Sequence, residues 1–226
     1  MRRLLLSLAT IAALAAPLGA TPSDTVNFTE STFLSNPGIS LPTGLAWAPD
    51  GLNRLFVTCK GNGNGSNNSP AEIRVIQNGA LQATPFASFN SYGREADNTT
   101  IKSPPASDPV YTYSECGLIG ICFDPDFLVN RYVYVFITVS PSEQQIIRFT
   151  DTLSGADSVG ANKTILIAGL PTNGVNHDGG GIGIGPDGRL YWSIGDNGNN
   201  TGVDTNLASM AAKVGRANRF TGAALN

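Results

Sequence analysis

DGGGIGIGPDGRLYWSIGD, residues 178–196, is the stretch whose reading decides the fold. It runs from a Gly-rich segment through a Pro-Asp turn at Pro186 and Asp187 into a second segment carrying Tyr191 and Trp192. The same order occurs twice upstream, in TGLAWAPDGLNRLFVTC at 43–59 and in CGLIGICFDPDFLVNRYVYVFITVS at 116–140. The turn prolines Pro49, Pro125 and Pro186 are 76 and 61 residues apart. Repetition on that scale marks an architecture of stacked, similar units. Further β-branched runs at 71–77, 145–149 and 164–167 raise the expectation to about four strands per unit. Short strands bounded by Gly, Pro, Asp and Asn, with no long helical period, make the chain all-β. Four-stranded antiparallel units arranged radially are the blades of a β-propeller, whose innermost strands crowd one another. The expectation is three such blades, with the strands at Thr43, Gly117 and Gly179 innermost. Gly179, Gly181, Gly183 and Gly185 would then leave one strand face bare where space is shortest. The Gly-x-Gly-x-x-Gly spacing at 183–188 fails as a dinucleotide motif, because it runs into the strand-like RLYWSI instead of opening a helix.

Outward from the repeats, composition narrows the function classes. Residues 1–20 carry Arg2 and Arg3, an apolar run from Leu4 to Leu14 and a small-residue end, the pattern of a signal peptide. The expected organisation is a leader over 1–20 and a partial propeller over 21–226, exported to the periplasm or secreted. No later stretch is long and apolar enough for a membrane helix, so no membrane insertion is expected. The formal charge of −3, or −5 without the leader arginines, has no block of like sign. That gives no footprint for nucleic acid. Cys59, Cys116 and Cys122 match no zinc or redox spacing, and Cys59 and Cys122 fall in strand-like runs. Sequons begin at Asn27, Asn98 and Asn162. The polar segments 61–70 and 87–108 read as long surface insertions.

His177 is the only histidine. A hairpin centred between Pro186 and Asp187 pairs residues whose numbers total about 373, which sets His177 opposite Asp196. A one-residue slip would part them. A carboxylate beside an imidazole fixes its tautomer and stabilises the imidazolium formed on proton uptake, the arrangement of a general base. Asp196 also has a purely structural reading, since Asp-Asn-Gly is a turn signal. Glu115 lies ten residues before Pro125 and His177 nine before Pro186, so both are expected at one end of their units. A solvated loop carboxylate is the other reading of Glu115.

The blocks ECGLIGICFDPDFLVNRYVYVFIT and NHDGGGIGIGPDGRLYWSIGDNGNN resemble signature segments of the glucose/sorbosone dehydrogenase family, the soluble pyrroloquinoline-quinone-dependent (PQQ-dependent) aldose dehydrogenases. LASMAAKVGRANRF resembles the segment that follows, with Ala212 where a glycine is common. The resemblance implies a six-bladed propeller that oxidises an aldose sugar at its anomeric carbon. It gives His177 the role of base, Asp196 that of its partner, and places Glu115 and Asn197 beside cofactor and substrate. It also implies PQQ, calcium and an external electron acceptor. The family's Arg-Asn motif, calcium ligands and further basic contacts to the quinone fall in blades not found here, so the expectation is half a propeller, inactive alone. A ligand-binding propeller without catalysis and a calcium-dependent lactonase-type hydrolase are the competing readings.

Overall fold

The structure, a computed structural model, describes residues 38–66, 68–198 and 202–225, together with 26, 27, 29 and 31–34. The expected leader at 1–20 lies outside the described residues. The chain divides into two compact units, 1–35 and 36–226, and all the elements below belong to the second.

Three sheets follow one another along the chain. The first contains β1 (Pro42–Trp47), β2 (Arg54–Cys59), β3 (Ala71–Gln77), β4 (Ala80–Leu81), β5 (Ala87–Tyr92) and β6 (Pro109–Tyr111). Its order is β1-β2-β3-β5-β6, with β4 on β3. The second is four-stranded: β7 (Leu118–Phe123), β8 (Tyr132–Ser140), β9 (Glu143–Ser154) and β10 (Asp157–Leu170), in the order β10-β9-β8-β7. A single helical turn, α1 (Phe127–Asn130), fills the connection after the second Pro-Asp turn. The third sheet is β11 (Ile182–Ile184), β12 (Arg189–Ile194) and β13 (Lys213–Asn218), in chain order, with one bridge from Ala217 to Ala224 beyond it.

The fold is therefore all-β, and the meander of neighbouring strands is antiparallel as expected. Four strands per unit holds for the second sheet only. In the first, part of the supposed insertion at 87–108 is strand β5: ASFNSY buries Phe89 and, three residues on and so on the opposite face, Tyr92 in a separate cluster, which leaves no apolar alternation to read. The chain then loops out and returns as β6 parallel to β5, which turn signals alone do not foretell.

The middle sheet is buried on both faces. Along β8, Val133, Val135 and Ile137 pack toward the first sheet with Phe56, Phe86, Phe89 and Phe149. The intervening Tyr134 and Phe136 pack toward the third, against Leu190, Trp192 and Ile194. Each such side chain stabilises by about 1.5–3 kcal/mol when fully buried, so two cores meeting on one sheet dominate the stability of this unit. Edge-on ring pairs, such as Phe56–Phe123 at 5.0 Å and Phe56–Phe86 at 5.1 Å, give the first core a defined geometry. Register between the first two sheets is pinned by buried charge. Arg54 donates to Asp151 at 2.8 Å and, through Nε, to Asp50 at 3.1 Å, and Arg131 also pairs with Asp151. Two arginines match two carboxylates, and removing one partner of such a set costs about 3–5 kcal/mol.

The first strands of the three sheets lie side by side. Thr43 donates its hydroxyl to the Leu118 carbonyl at 2.7 Å, and a Cβ on Gly120 would collide with the Gly180 carbonyl oxygen. The crowding read from the glycines is real at Gly120. At the third sheet a Cβ would also collide at Gly179, Gly180, Gly181 and Gly185, but the reading of one continuous bare-faced strand needs correction. Gly179 and Gly180 have φ of 92° and 118°, outside the strand region, so β11 begins only at Ile182. Gly183, within the strand, faces open space. Cys59, Cys116 and Cys122 are all free thiols, the first two buried.

Candidate functional site

The hairpin that brings the site together has a three-residue loop, Pro186-Asp187-Gly188. Gly188 at φ 72° donates to the Gly185 carbonyl, and Gly185 pairs with Arg189. Asp187 stabilises this turn by accepting from Arg189 N–H at 3.1 Å and the Tyr191 hydroxyl at 2.8 Å. The loop is centred on Asp187, so Ile182 pairs with Trp192 and Ile184 with Leu190, one residue off the expected register. His177 and Asp196 meet all the same. His177 Nδ1 lies 2.5 Å from Asp196 Oδ1. The slip is absorbed before β11 begins: His177 is itself left-handed at φ 54°, and Gly179 and Gly180 follow in conformations open chiefly to glycine. Gly195 permits the close approach, because a Cβ there would collide with the His177 carbonyl oxygen.

Asp196 Oδ1 also accepts the Gly198 N–H at 2.9 Å, which fixes the carboxylate from the other side. The aspartate oxygen is an acceptor, so the imidazole carries its proton on Nδ1 and presents the Nε2 lone pair. Both side chains are open to solvent, at 53% and 37% exposure. The bond to Asp196 raises the His177 pKa above its ordinary 6.5, and the same bond lowers that of Asp196.

Glu115 reaches this site from the turn that precedes β7. Its Oε2 accepts the backbone N–H of His177 at 2.7 Å, and its own N–H donates to the Val175 carbonyl at 3.0 Å. Asn197 has a different setting. It is buried, its N–H makes a long 3.4 Å contact to the His177 carbonyl, its carbonyl accepts from Asn173, and its Oδ1 has no partner among the described residues. It lines the wall behind His177.

Lys60 was missed in the sequence. It directly follows β2 and donates to the Ser114 carbonyl, beside Glu115. Its signal is positional: the end of the second strand of one unit meets the entry to the first strand of the next. Burial lowers the pKa of its ammonium.

The donor set suits a hydroxyl-bearing substrate facing a base. Among the described residues no group of three or more His, Cys, Asp or Glu side chains converges that could hold a metal ion such as calcium. For the carboxylates of PQQ the cations are few. Lys213 is engaged by the Val203, Asp204 and Ala211 carbonyls, and Arg219 by Asp124 and Asp126. Lys60 is close enough to feel the Glu115 charge, and Asn197 Oδ1 is an unused acceptor in the wall.

Against this geometry, a family model described as Glucose / Sorbosone dehydrogenase matches residues 39–224. The chain is 29% identical over 183 residues to Quinoprotein glucose dehydrogenase B from Acinetobacter calcoaceticus, covering 77% of this chain and 32% of that protein. An oxidoreductase (glucose dehydrogenase) from Thermus thermophilus is 27% identical, with a TM-score of 0.57 over 79% of this chain and 44% of the other. The PQQ-bound form of aldose sugar dehydrogenase from Streptomyces coelicolor shares the fold, with a TM-score of 0.60 at 24% identity over 80% of this chain and 46% of its own. The chain spans about a third of the curated relatives' length and under half that of these solved structures.

Proposed function

The chain belongs to the glucose/sorbosone dehydrogenase family, and from that premise we propose that it carries the base end of the active site of a PQQ-dependent aldose sugar dehydrogenase. The observation behind this reading is the 2.5 Å contact between His177 Nδ1 and Asp196 Oδ1 on an open ring. His177 Nε2 takes the proton of the sugar's anomeric hydroxyl as the carbon–oxygen double bond forms and hydride leaves the same carbon. A bound PQQ supplies the two-electron acceptor for that hydride. Asp196 steadies the imidazolium that results, and Glu115 and Asn197 lie at the same mouth, near cofactor and substrate.

Three further readings belong with this one. The three sheets are three blades of a six-bladed propeller, with β1, β7 and β11 toward its axis. Residues 1–20 direct export. Export would deliver the protein to the periplasm or beyond, where it would meet the sugar and an external electron acceptor; among the described residues no helix is long and apolar enough to cross a membrane. Calcium, if bound, would be held by carbonyl oxygens or by a ligand set other than a cluster of His, Cys, Asp or Glu among the described residues.

The test is sugar-dependent reduction of an artificial acceptor by the complete enzyme loaded with PQQ. His177→Ala is expected to lower kcat by about 10²-fold or more, the contribution of a positioned general base, with PQQ affinity little changed. Sugar oxidation that survives the substitution at full rate would overturn the assignment.

A further inference from the structure

We propose that Glu115 acts as a positioning residue, whose carboxylate holds the main chain of His177 and so aims the imidazole. The inference rests on the reading of His177 as the base. The resemblance implies only a place for Glu115 beside cofactor and substrate; the geometry adds that its Oε2 takes the His177 N–H at 2.7 Å.

His177 sits at φ 54°, a left-handed conformation uncommon for a residue with a side chain. Such conformations persist where the surroundings over-determine them. The Glu115 carboxylate takes the N–H, Gly195 lies against the carbonyl, and Asp196 takes the ring. Of these, Glu115 is the group that fixes the peptide plane entering His177.

Glu115 is itself held. Its N–H bonds to the Val175 carbonyl, so main chain and side chain grip residues 175–177 at two points. The turn that presents it is closed by Cys116 N–H on the Tyr113 carbonyl at 3.0 Å, with Ser114 left-handed at φ 51°. Lys60 ties that turn to the first sheet through the Ser114 carbonyl, and Gly117 leaves room for its stem, since a Cβ there would collide with Lys60 Cγ. The brace thus runs from the end of β2, through the entry to β7, to the entry to β11. A charged acceptor on a backbone N–H forms a strong hydrogen bond, and a glutamine can supply the same acceptor oxygen without the charge.

The single histidine makes the test direct, because one imidazole and one histidine amide report on the site by NMR in the full chain. In Glu115→Ala, exchange of the His177 amide proton should quicken about 10- to 100-fold, as expected for loss of one charge-assisted hydrogen bond. The proportion of ring proton on Nδ1 should fall. Glu115→Gln should keep amide protection within a few-fold and keep the tautomer, while the imidazole midpoint drops slightly in both variants because a nearby negative charge is lost. Glu115→Asp, too short by one methylene, should behave like the alanine variant and serves if that one does not fold. Unchanged amide exchange in Glu115→Ala, or in Glu115→Asp where it replaces it, would overturn the proposal. So would a glutamine variant as disturbed as the alanine, because charge alone would then be the cause. None of these readouts needs sugar oxidation, so a negative result leaves the base assignment to the separate kinetic test of His177.

Discussion

At the scale of single residues, the Asp196 bond gives His177 a defined pH behaviour. A base must be unprotonated, and the folded pKa of His177 is raised above 6.5, chiefly by its bond to Asp196. Activity of the complete enzyme should therefore rise with pH through a midpoint above 6.5. Asp196→Asn should move that midpoint down and lower the plateau, since the amide holds the ring less firmly. A pH–rate profile, with the imidazole titration beside it, checks both; an unmoved midpoint would mean that the contact does not form in solution. The same bond favours the protonated ring, so its contribution to folding is complete below the unfolded pKa and is lost as pH rises through the folded one. The sequence made this pair legible through hairpin counting, although the loop has three residues and not two. Left-handed His177 and the two glycines at 179 and 180 restored a meeting that strand geometry would have missed. Glu115 was found by its distance from a turn proline. The burial of Asn197 and the role of Lys60 were hidden because both depend on loops distant in sequence packing together.

At the scale of elements, the repeat predicted the hairpins well because each Pro-Asp turn is a local instruction. What it could not supply was the count of strands, since β5 buries Phe89 and Tyr92 on opposite faces amid Ser and Asn and so shows no alternation, and β6 pairs in parallel after a long excursion. Nor could it say which glycines matter. Gly120 and Gly183 look alike in sequence, yet a Cβ on Gly120 would strike the Gly180 carbonyl and one on Gly183 would strike nothing. Gly120→Ala is accordingly expected to destabilise the protein by about 2–3 kcal/mol through strain between neighbouring strands, and Gly183→Ala by about 0.5 kcal/mol at most. Urea midpoints measured side by side decide it, and equal midpoints would show that the first strands of the second and third sheets do not approach so closely.

At the scale of the whole molecule, the described residues provide two large cores, the proposed base and its partner, and few uncommitted cations near them. Residues 21–226 expressed alone, with PQQ and calcium added, are therefore expected to give no turnover of an artificial acceptor with glucose or other aldoses. Turnover abolished by His177→Ala would show that these sheets suffice. The three free thiols carry a consequence of another kind. Burial raises the pKa of Cys59 and Cys116 and pushes that of Cys122 up to about 12, so near neutral pH almost none of the reactive thiolate exists while the sheets are closed. Cys59 and Cys116 are sealed reporters, readable only when the packing around them opens, and half-buried Cys122 is guarded by its raised pKa. A disulfide-forming dye should label none of them quickly in buffer and all three together as urea crosses the unfolding transition; rapid labelling in buffer would mean that the sheets breathe. If residues 1–20 direct export as proposed, a chain with an odd number of cysteines meets an oxidising compartment, the hazard of mispairing is confined to the interval before these strands close, and folding speed becomes its protection against oxidation.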